Sequence, residues 1–136
     1  MANGTIAFDT LQTSDAKKSG TTQSLDTSYL YNGSAKAWSH FTSETTTAKY
    51  DDFNIASYTD NATGDTTLTF TSNMNNALYC HPGSSGGVSN GNGVLFSLDQ
   101  STARTSSLFR VITFANSSGS SQDTPRNEIA VFGDLA

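Results

Sequence analysis

Residues 60–71 read Asp-Asn-Ala-Thr-Gly-Asp-Thr-Thr-Leu-Thr-Phe-Thr, and this run carries the clearest structural signal in the chain. Its first half consists of residue types that form turns and tolerate left-handed backbone. In its second half Leu68 and Phe70 alternate with threonines, which is the two-residue period of a half-buried β-strand. Because a strand-like run at 53–59 precedes the loop, residues 53–71 predict a β-hairpin.

Further short runs with strand character flank this hairpin and are separated by turn-rich segments. They lie at 35–41, 46–50, 94–98, 108–114 and 129–132, with a short apolar segment at 77–80. The glycine-rich stretch 83–93 predicts a long connecting loop. The sequence therefore predicts an all-β domain over residues 34–136, an antiparallel, jelly-roll-like β-sandwich of about seven or eight short strands.

The run 35–41 also has the alternation of a strand with two different sides. Its two sides are Ala35, Ala37, Ser39 and Phe41, and Lys36, Trp38 and His40. Since neighbouring side chains of a strand point to opposite faces, Trp38 need not share a face with Phe41. By the same rule Phe53 and Ile55 are expected to share one face.

Residues 1–33 differ from the rest and predict an extended N-terminal arm for assembly contacts. Short apolar runs lie at its two ends, and the segment 15–28 between them is polar and rich in Ser and Thr. Apolar side chains outside a core are expected to be buried on assembly. Those expected to contact a partner are Ile6, Phe8, Leu11, Tyr29 and Tyr31. The alternative is an additional edge strand of the same domain.

The composition limits the classes of partner. Only 14% of the residues are charged, the net charge is −5, and the few basic residues are scattered, so we expect no nucleic-acid partner. No apolar run is long enough for membrane insertion, and no secretory signal follows Met1. The single cysteine, Cys80, precludes an intrachain disulfide and is expected to be a small buried hydrophobe.

The residues that carry chemistry form no convincing catalytic, cofactor or metal site, and we expect no enzyme activity. His40, Cys80 and His81 are too few for a tetrahedral zinc site within one chain. In a trimer one histidine per chain could meet on the axis, but the sequence places neither histidine there. The acids that a glycosidase would need have a simpler interpretation as turn-forming and solubilising residues. These acids are Asp51, Asp52, Asp60 and Asp65.

One part of the chain resembles a known family. Its segments are 32–38, which reads Asn-Gly-Ser-Ala-Lys-Ala-Trp and leads to Phe41, then 52–57 (Asp-Phe-Asn-Ile-Ala-Ser), 59–65 and 68–70. Over roughly residues 32–79 the chain resembles a β module found near the C-terminal end of many tail-fibre and other structural proteins of marine tailed phages.

This resemblance implies a non-enzymatic structural protein of a tailed-bacteriophage virion, displayed on the particle exterior as a tail-fibre or appendage component. It also implies other virion proteins as partners of the arm, and a homotrimer, since many members are trimeric. One alternative is a capsid decoration (cement) protein. Another is a carbohydrate-binding host-receptor module, in which Trp38, Tyr58 and Tyr79 contact a host surface glycan through their rings.

Overall fold

The structure is a computed structural model, and it describes residues 10–13, 23–86, 94–98, 104–116 and 118–136. The chain divides into two compact units, Met1–Ser34 and Ala35–Ala136. This division lies one residue beyond the end of the predicted arm.

The first unit contains a strand pair and a short helix where the sequence predicted an extended arm. Strand β1 (Thr10–Thr13) pairs antiparallel with β2 (Gln23–Asp26), and helix α1 (Thr27–Gly33) follows. Ser34 closes the helix, because its amide donates to the Leu30 carbonyl at 3.2 Å and its hydroxyl to the Tyr31 carbonyl at 3.1 Å. No helix among the described residues has the length and apolarity needed to cross a membrane.

The described residues of the second unit form two four-stranded antiparallel sheets. The first sheet has the order β4-β3-β10-β7 and the second has the order β5-β6-β9-β8. The strands are β3 (Ala37–Thr42), β4 (Ala48–Phe53), β5 (Ile55–Ala62), β6 (Asp65–Phe70), β7 (Gly83–Gly86), β8 (Val94–Leu98), β9 (Leu108–Ala115) and β10 (Arg126–Val131). The prediction of an all-β, two-sheet domain is confirmed.

The core lies between the two sheets and is made of one face of each. It is lined from the first sheet by Ala37, Phe41, Ile129 and Val131, and from the second by Ile55, Leu68, Phe70, Phe109 and Val111. Met74 and Tyr79, from the connection between β6 and β7, complete it. Aromatic rings contribute much of the buried area, which offsets the low apolar content of the chain.

The hairpin predicted at 53–71 is present as β5 and β6. Leu68 and Phe70 are buried, whereas Thr67 and Thr69 are half-buried on the other face. Gly64 turns the chain between the two strands with φ at +67°. The alternation of apolar residues and threonines was therefore a sound guide to the buried face.

The prediction that Phe53 and Ile55 share a face is wrong, because the chain changes sheets between them. Phe53 ends β4 in the first sheet and is exposed, whereas Ile55 begins β5 in the second sheet and is buried. Asn54 makes the turn with φ at +60°. Its side-chain amide donates to the carbonyls of Lys36 and Ser72 at 3.0 and 3.1 Å, which holds this left-handed conformation.

The loop predicted at 83–93 begins with a strand. Residues Gly83–Gly86 form β7 and pair with β10, where Ser85 Oγ donates to the buried Asn127 Oδ1 at 2.6 Å. Glycine and serine disfavour strands, so here backbone pairing and a side-chain hydrogen bond outweigh propensity. The small residues of β7 leave the outer surface of the first sheet open at this edge.

Candidate functional site

The outer face of the first sheet carries an apolar row that crosses the strands. Trp38 on β3 pairs with Phe53 on β4 and with Ala130 on β10. On the far side of Ala130, the carbonyl of Pro82 accepts a hydrogen bond from the Ala130 amide at 3.1 Å. Trp38 is 39% exposed, while its neighbours Ala37 and Ser39 are buried on the inner face. Trp38 and Phe41 therefore lie on opposite faces of β3.

A polar row runs beside the apolar one, two residues along each strand. His40 on β3 pairs with Asp51 on β4 and with Glu128 on β10, and Glu128 pairs with Ser84 on β7. Paired residues of a ladder share a face, so these groups extend the surface that carries Trp38. Ser84 Oγ donates to Glu128 Oε2 at 3.4 Å, which is a weak hydrogen bond.

The two rows line a shallow, open groove of about 510 Å³. One wall is formed by Trp38 and His40, the floor by Glu128 and Ala130, and the other wall by residues 82–84. We call this feature the Trp38 groove. It joins one large aromatic ring to a carboxylate and a hydroxyl, which is a combination suited to a ligand with both an apolar face and hydrogen-bonding groups.

Two further aromatic rings extend this surface across the edge strand β4. The rings of Tyr50 and His40 lie 4.8 Å apart between centroids. A register irregularity between His40 and Phe41 brings Tyr50 beside His40. Tyr50 and Phe53 are both more than half exposed. Among the described residues of the second unit, the exposed aromatic rings therefore lie on one face.

Tyr58 does not lie on this surface with Trp38. Its ring packs against Phe41 at a centroid distance of 5.4 Å, and its hydroxyl donates to Asp52 Oδ2 at 3.1 Å and lies 2.6 Å from Ser39 Oγ. Burial is the main cause that raises the pKa of Tyr58, and the Asp52 carboxylate raises it further. The side chain ties β3, β4 and β5 together.

Tyr79, the third predicted glycan contact, is a core residue. It is only 2% exposed, and its hydroxyl donates to the carbonyls of Leu108 and Thr105 at 2.9 and 3.0 Å. Burial raises the pKa of Tyr79 to about 12. The expectation of an exposed ring at Tyr79 is wrong, because the apolar segment 77–80 turns this ring inward and leaves Leu78 outside.

Of the five predicted arm contacts, the structure describes two side chains. Tyr29 and Tyr31 lie on α1 and are both more than half exposed, as is much of Leu30 between them. The backbone of Leu11 pairs with that of Leu25 in the β1–β2 ladder. Ile6 and Phe8 lie outside the described residues.

The acids considered as candidates for chemistry mostly hold the structure together. Asp65 forms a bidentate ion pair with Arg110, Asp52 pairs with Lys49 at 3.1 Å, and Asp51 Oδ1 accepts from the Asp52 amide at 2.9 Å. Asp60 lies exposed on β5. Within the described part of the chain, no group of three His, Cys, Asp or Glu side chains is placed to hold a metal ion.

His81 is buried against core aromatic rings. Its ring centroid is 5.0 Å from that of Phe109 and 5.9 Å from that of Tyr79. Among the described residues, neither ring nitrogen has a hydrogen-bond partner. Burial, followed by the positive charge of Arg104, lowers the pKa of His81 from 6.5 to about 4.

We expect the free energy of unfolding to decrease as the pH falls from 6.5 to about 4. Over this interval His81 is neutral in the folded protein but binds a proton in the unfolded chain. The unfolded state then binds more protons, so acid favours unfolding by up to about 1.4 kcal/mol per pH unit and about 3 kcal/mol in all. Above pH 6.5 both states are neutral at this position and the effect vanishes. Urea unfolding at a series of pH values measures it.

The matched variant for this prediction is His81→Gln, which removes the titrating group and keeps a polar side chain. Acidic groups titrate in the same interval in both proteins, so the difference between the two pH profiles isolates His81. We expect the wild-type profile to be steeper. Parallel profiles would show that protonation of His81 does not oppose folding.

Cys80 is exposed, and the expectation that it is buried is wrong. Its backbone is paired with Phe132 through two hydrogen bonds of 2.9 Å, and this pairing directs the neighbouring Tyr79 ring into the core and the thiol outward.

We expect the Cys80 thiol of the folded protein to react with an aromatic disulfide reagent at a rate within about tenfold of that of the urea-unfolded chain. Absorbance of the released thiolate measures this rate. Reaction only after unfolding would contradict the exposed position.

Comparison of the chain with protein-family models, with curated proteins and with solved structures finds no match.

Proposed function

We propose that this chain is a non-enzymatic structural protein on the exterior of a tailed-phage virion, as a tail-fibre or appendage component that acts by assembly and surface contact. The observation that carries the proposal is the outer face of the first sheet, where Trp38 pairs with Phe53, Tyr50 packs against His40, and the rings of Trp38, Tyr50 and Phe53 are exposed. Contiguous exposed apolar surface is typical of interaction sites. The resemblance of residues 32–79 to phage structural modules supplies the virion context.

The chemistry of the described acids also favours a structural role. The carboxylates of Asp52 and Asp65 are held in ion pairs, and each also accepts a further hydrogen bond from Tyr58 or Asn61. A carboxylate held in this way stabilises a fold, whereas a glycosidase needs two acids across a common cleft. We therefore infer that the outer face of the first sheet acts by binding a partner.

The first unit is proposed as the assembly element. Helix α1 exposes Tyr29, Leu30 and Tyr31 in succession, and Tyr29 is 71% exposed. These rings and the Leu30 side chain would become buried against a neighbouring subunit of a homotrimer or against another virion protein. Such burial stabilises a contact by about 25 cal/mol for each square ångström removed from water.

Two measurements on purified virions of the phage that encodes the chain test this proposal. Mass spectrometry is expected to detect the chain among the particle proteins, and antibodies against residues 35–136 are expected to label intact particles in electron micrographs. Label on the tail supports the appendage, and label over the head supports the alternative of capsid decoration. A chain found only in infected-cell lysates would refute the proposal.

The assembly role of α1 is tested by the double variant Tyr29→Ser/Tyr31→Ser. The matched control is Leu78→Ser, which changes a side chain that is 88% exposed in the second unit. We expect the double variant to fold normally and to be depleted in virions, with the control incorporated at the wild-type level. Equal incorporation of both would remove α1 from the assembly contact.

A further inference from the structure

We propose that the Trp38 groove binds an uncharged glycan, with a sugar ring stacked on Trp38 and sugar hydroxyls bound to Glu128 and Ser84. This inference rests on the proposed display of the domain on the virion exterior, where the ligand would be a polysaccharide of the host surface. Besides Trp38, which the sequence analysis already named as a possible glycan contact, the proposed site contains Ser84, Glu128 and Ala130. The sequence did not indicate these three residues as ligand contacts.

The apolar row supplies the stacking platform. A pyranose ring has one face rich in C–H groups, and the exposed face of an indole is a suitable surface for it. Beside Trp38, the row contains only the small Ala130 before Pro82, so a flat ring can lie across β10 without meeting a bulky side chain. Phe53 on the other side of Trp38 lengthens the platform toward β4.

The polar row supplies hydrogen bonds along the edge of such a ring. Glu128 is exposed and accepts hydrogen bonds through two carboxylate oxygens, while Ser84 can both donate and accept. Their mutual hydrogen bond is long, at 3.4 Å, so sugar hydroxyls can replace it at little cost. The two groups face each other across β10 and β7 and would bind neighbouring hydroxyls.

The charges of the groove select against an acidic glycan. Glu128 lies on its floor, and Asp51 lies at the end of the same row. Among its described lining residues there is no lysine or arginine, and the chain as a whole has a net charge of −5. Arg126, two residues before Glu128 on β10, lines an adjoining small depression together with Ser84 and Glu128. A carboxylated or phosphorylated sugar would therefore meet like charge at the hydroxyl-binding edge.

Trp38 is the only tryptophan of the chain, so its fluorescence reports on the groove alone. The probes are maltotriose, cellotriose and triacetylchitotriose in titrations of the full chain, together with a glycan array that contains neutral and acidic bacterial oligosaccharides. We expect a neutral glycan to shift Trp38 emission to shorter wavelength and to protect it from acrylamide. Trp38→Ala is expected to weaken array binding about tenfold or more.

Three variants complete the test. Glu128→Gln keeps the shape of the side chain and removes its charge, and we expect binding of the neutral glycan to fall several-fold. Ser84→Ala is expected to have a smaller effect in the same direction. Leu78→Ala, which removes an exposed hydrophobic side chain outside the groove, is the control and is expected to bind as the wild type does.

Several outcomes would overturn the inference. Absence of neutral-glycan binding across the array would do so, as would binding that survives Trp38→Ala. A preference for acidic glycans that Glu128→Gln strengthens would contradict the assignment of an uncharged ligand. Attachment of the domain to host cells could also be measured after the cells are treated with protease or with periodate. Attachment that depends on Trp38, is lost after protease and persists after periodate would assign the groove to a protein partner. None of these results changes whether the chain is found in virions, so the proposed function is tested separately.

Discussion

Replacing Gly64 with alanine is expected to destabilise the second unit by about 3 kcal/mol or more. Gly64 has φ at +67°, and a Cβ there would lie 2.6 Å from the Thr113 carbonyl oxygen and 2.7 Å from the Gln122 amide nitrogen. Both atoms belong to the backbone, so the hairpin loop must shift. The shift would weaken the hydrogen bonds from the Gly64 amide to Asp123 and from the Thr113 amide to the Gly64 carbonyl.

Gly119→Ala is the matched control for this effect. Gly119 has the same φ of +67°, but a Cβ there would meet none of the described residues within 4 Å. Gly119→Ala is therefore expected to lower the free energy of unfolding by only about 1 kcal/mol, which is the strain of an alanine in left-handed backbone. Chemical denaturation followed by circular dichroism measures both variants. Equal losses for the two would contradict the tight packing of the Gly64 loop.

Replacing Asp65 with alanine is expected to cost about 3 kcal/mol of stability, because it leaves the Arg110 guanidinium without its bidentate partner. Asp65 is nearly buried at the start of β6, and Arg110 extends from the adjacent strand β9. Arg110 Nε donates to Asp65 Oδ1 at 2.5 Å, and its Nη2 donates to the other oxygen. Arg–carboxylate pairs of this geometry are among the strongest side-chain interactions.

The pair of Lys49 and Asp52 provides the comparison. Its N–O distance is 3.1 Å, but the Lys49 side chain is 60% exposed, so Lys49→Ala is expected to cost less than about 1 kcal/mol. A double-mutant cycle of Asp65→Ala and Arg110→Ala then isolates the coupling of the partly buried Asp65–Arg110 pair. A coupling energy no larger than that of an exposed pair would contradict its structural importance.

Local patterns in the sequence were sufficient to predict the strands on which the fold depends. The alternation around Leu68 and Phe70 predicted both the hairpin and its buried face. The alternation in 35–41 placed Trp38 and Phe41 on different sides of a strand. Such patterns succeed because the side-chain direction in a strand depends only on position along that strand.

The features that the sequence did not reveal depend on contacts between distant segments. Asn54 reverses the chain because its side chain caps the carbonyls of Lys36 and Ser72, and neither contact is visible in a local window. Likewise β7 forms against β10, although its residues disfavour strands. The apolar character of Tyr79 was recognised, but the turn that buries it was not.

The Trp38 groove illustrates the same limit. Its residues come from three separate segments, and only the register of β3, β10 and β7 places Glu128 beside Ser84 and Ala130 beside Trp38. The one available signal was the alternation in 126–131, where Glu128 and Ala130 point away from the buried Ile129 and Val131. That pattern identifies outward residues but cannot identify their neighbours.

The central claim, that this domain presents a binding face on the outside of a virion, is tested most directly by cryo-electron microscopy of intact particles with residues 35–136 fitted into the density. The account predicts density for the domain on the particle exterior, with Trp38 and Glu128 facing solvent. A map that lacks the domain, or that buries the Trp38 groove against another virion protein, would contradict it.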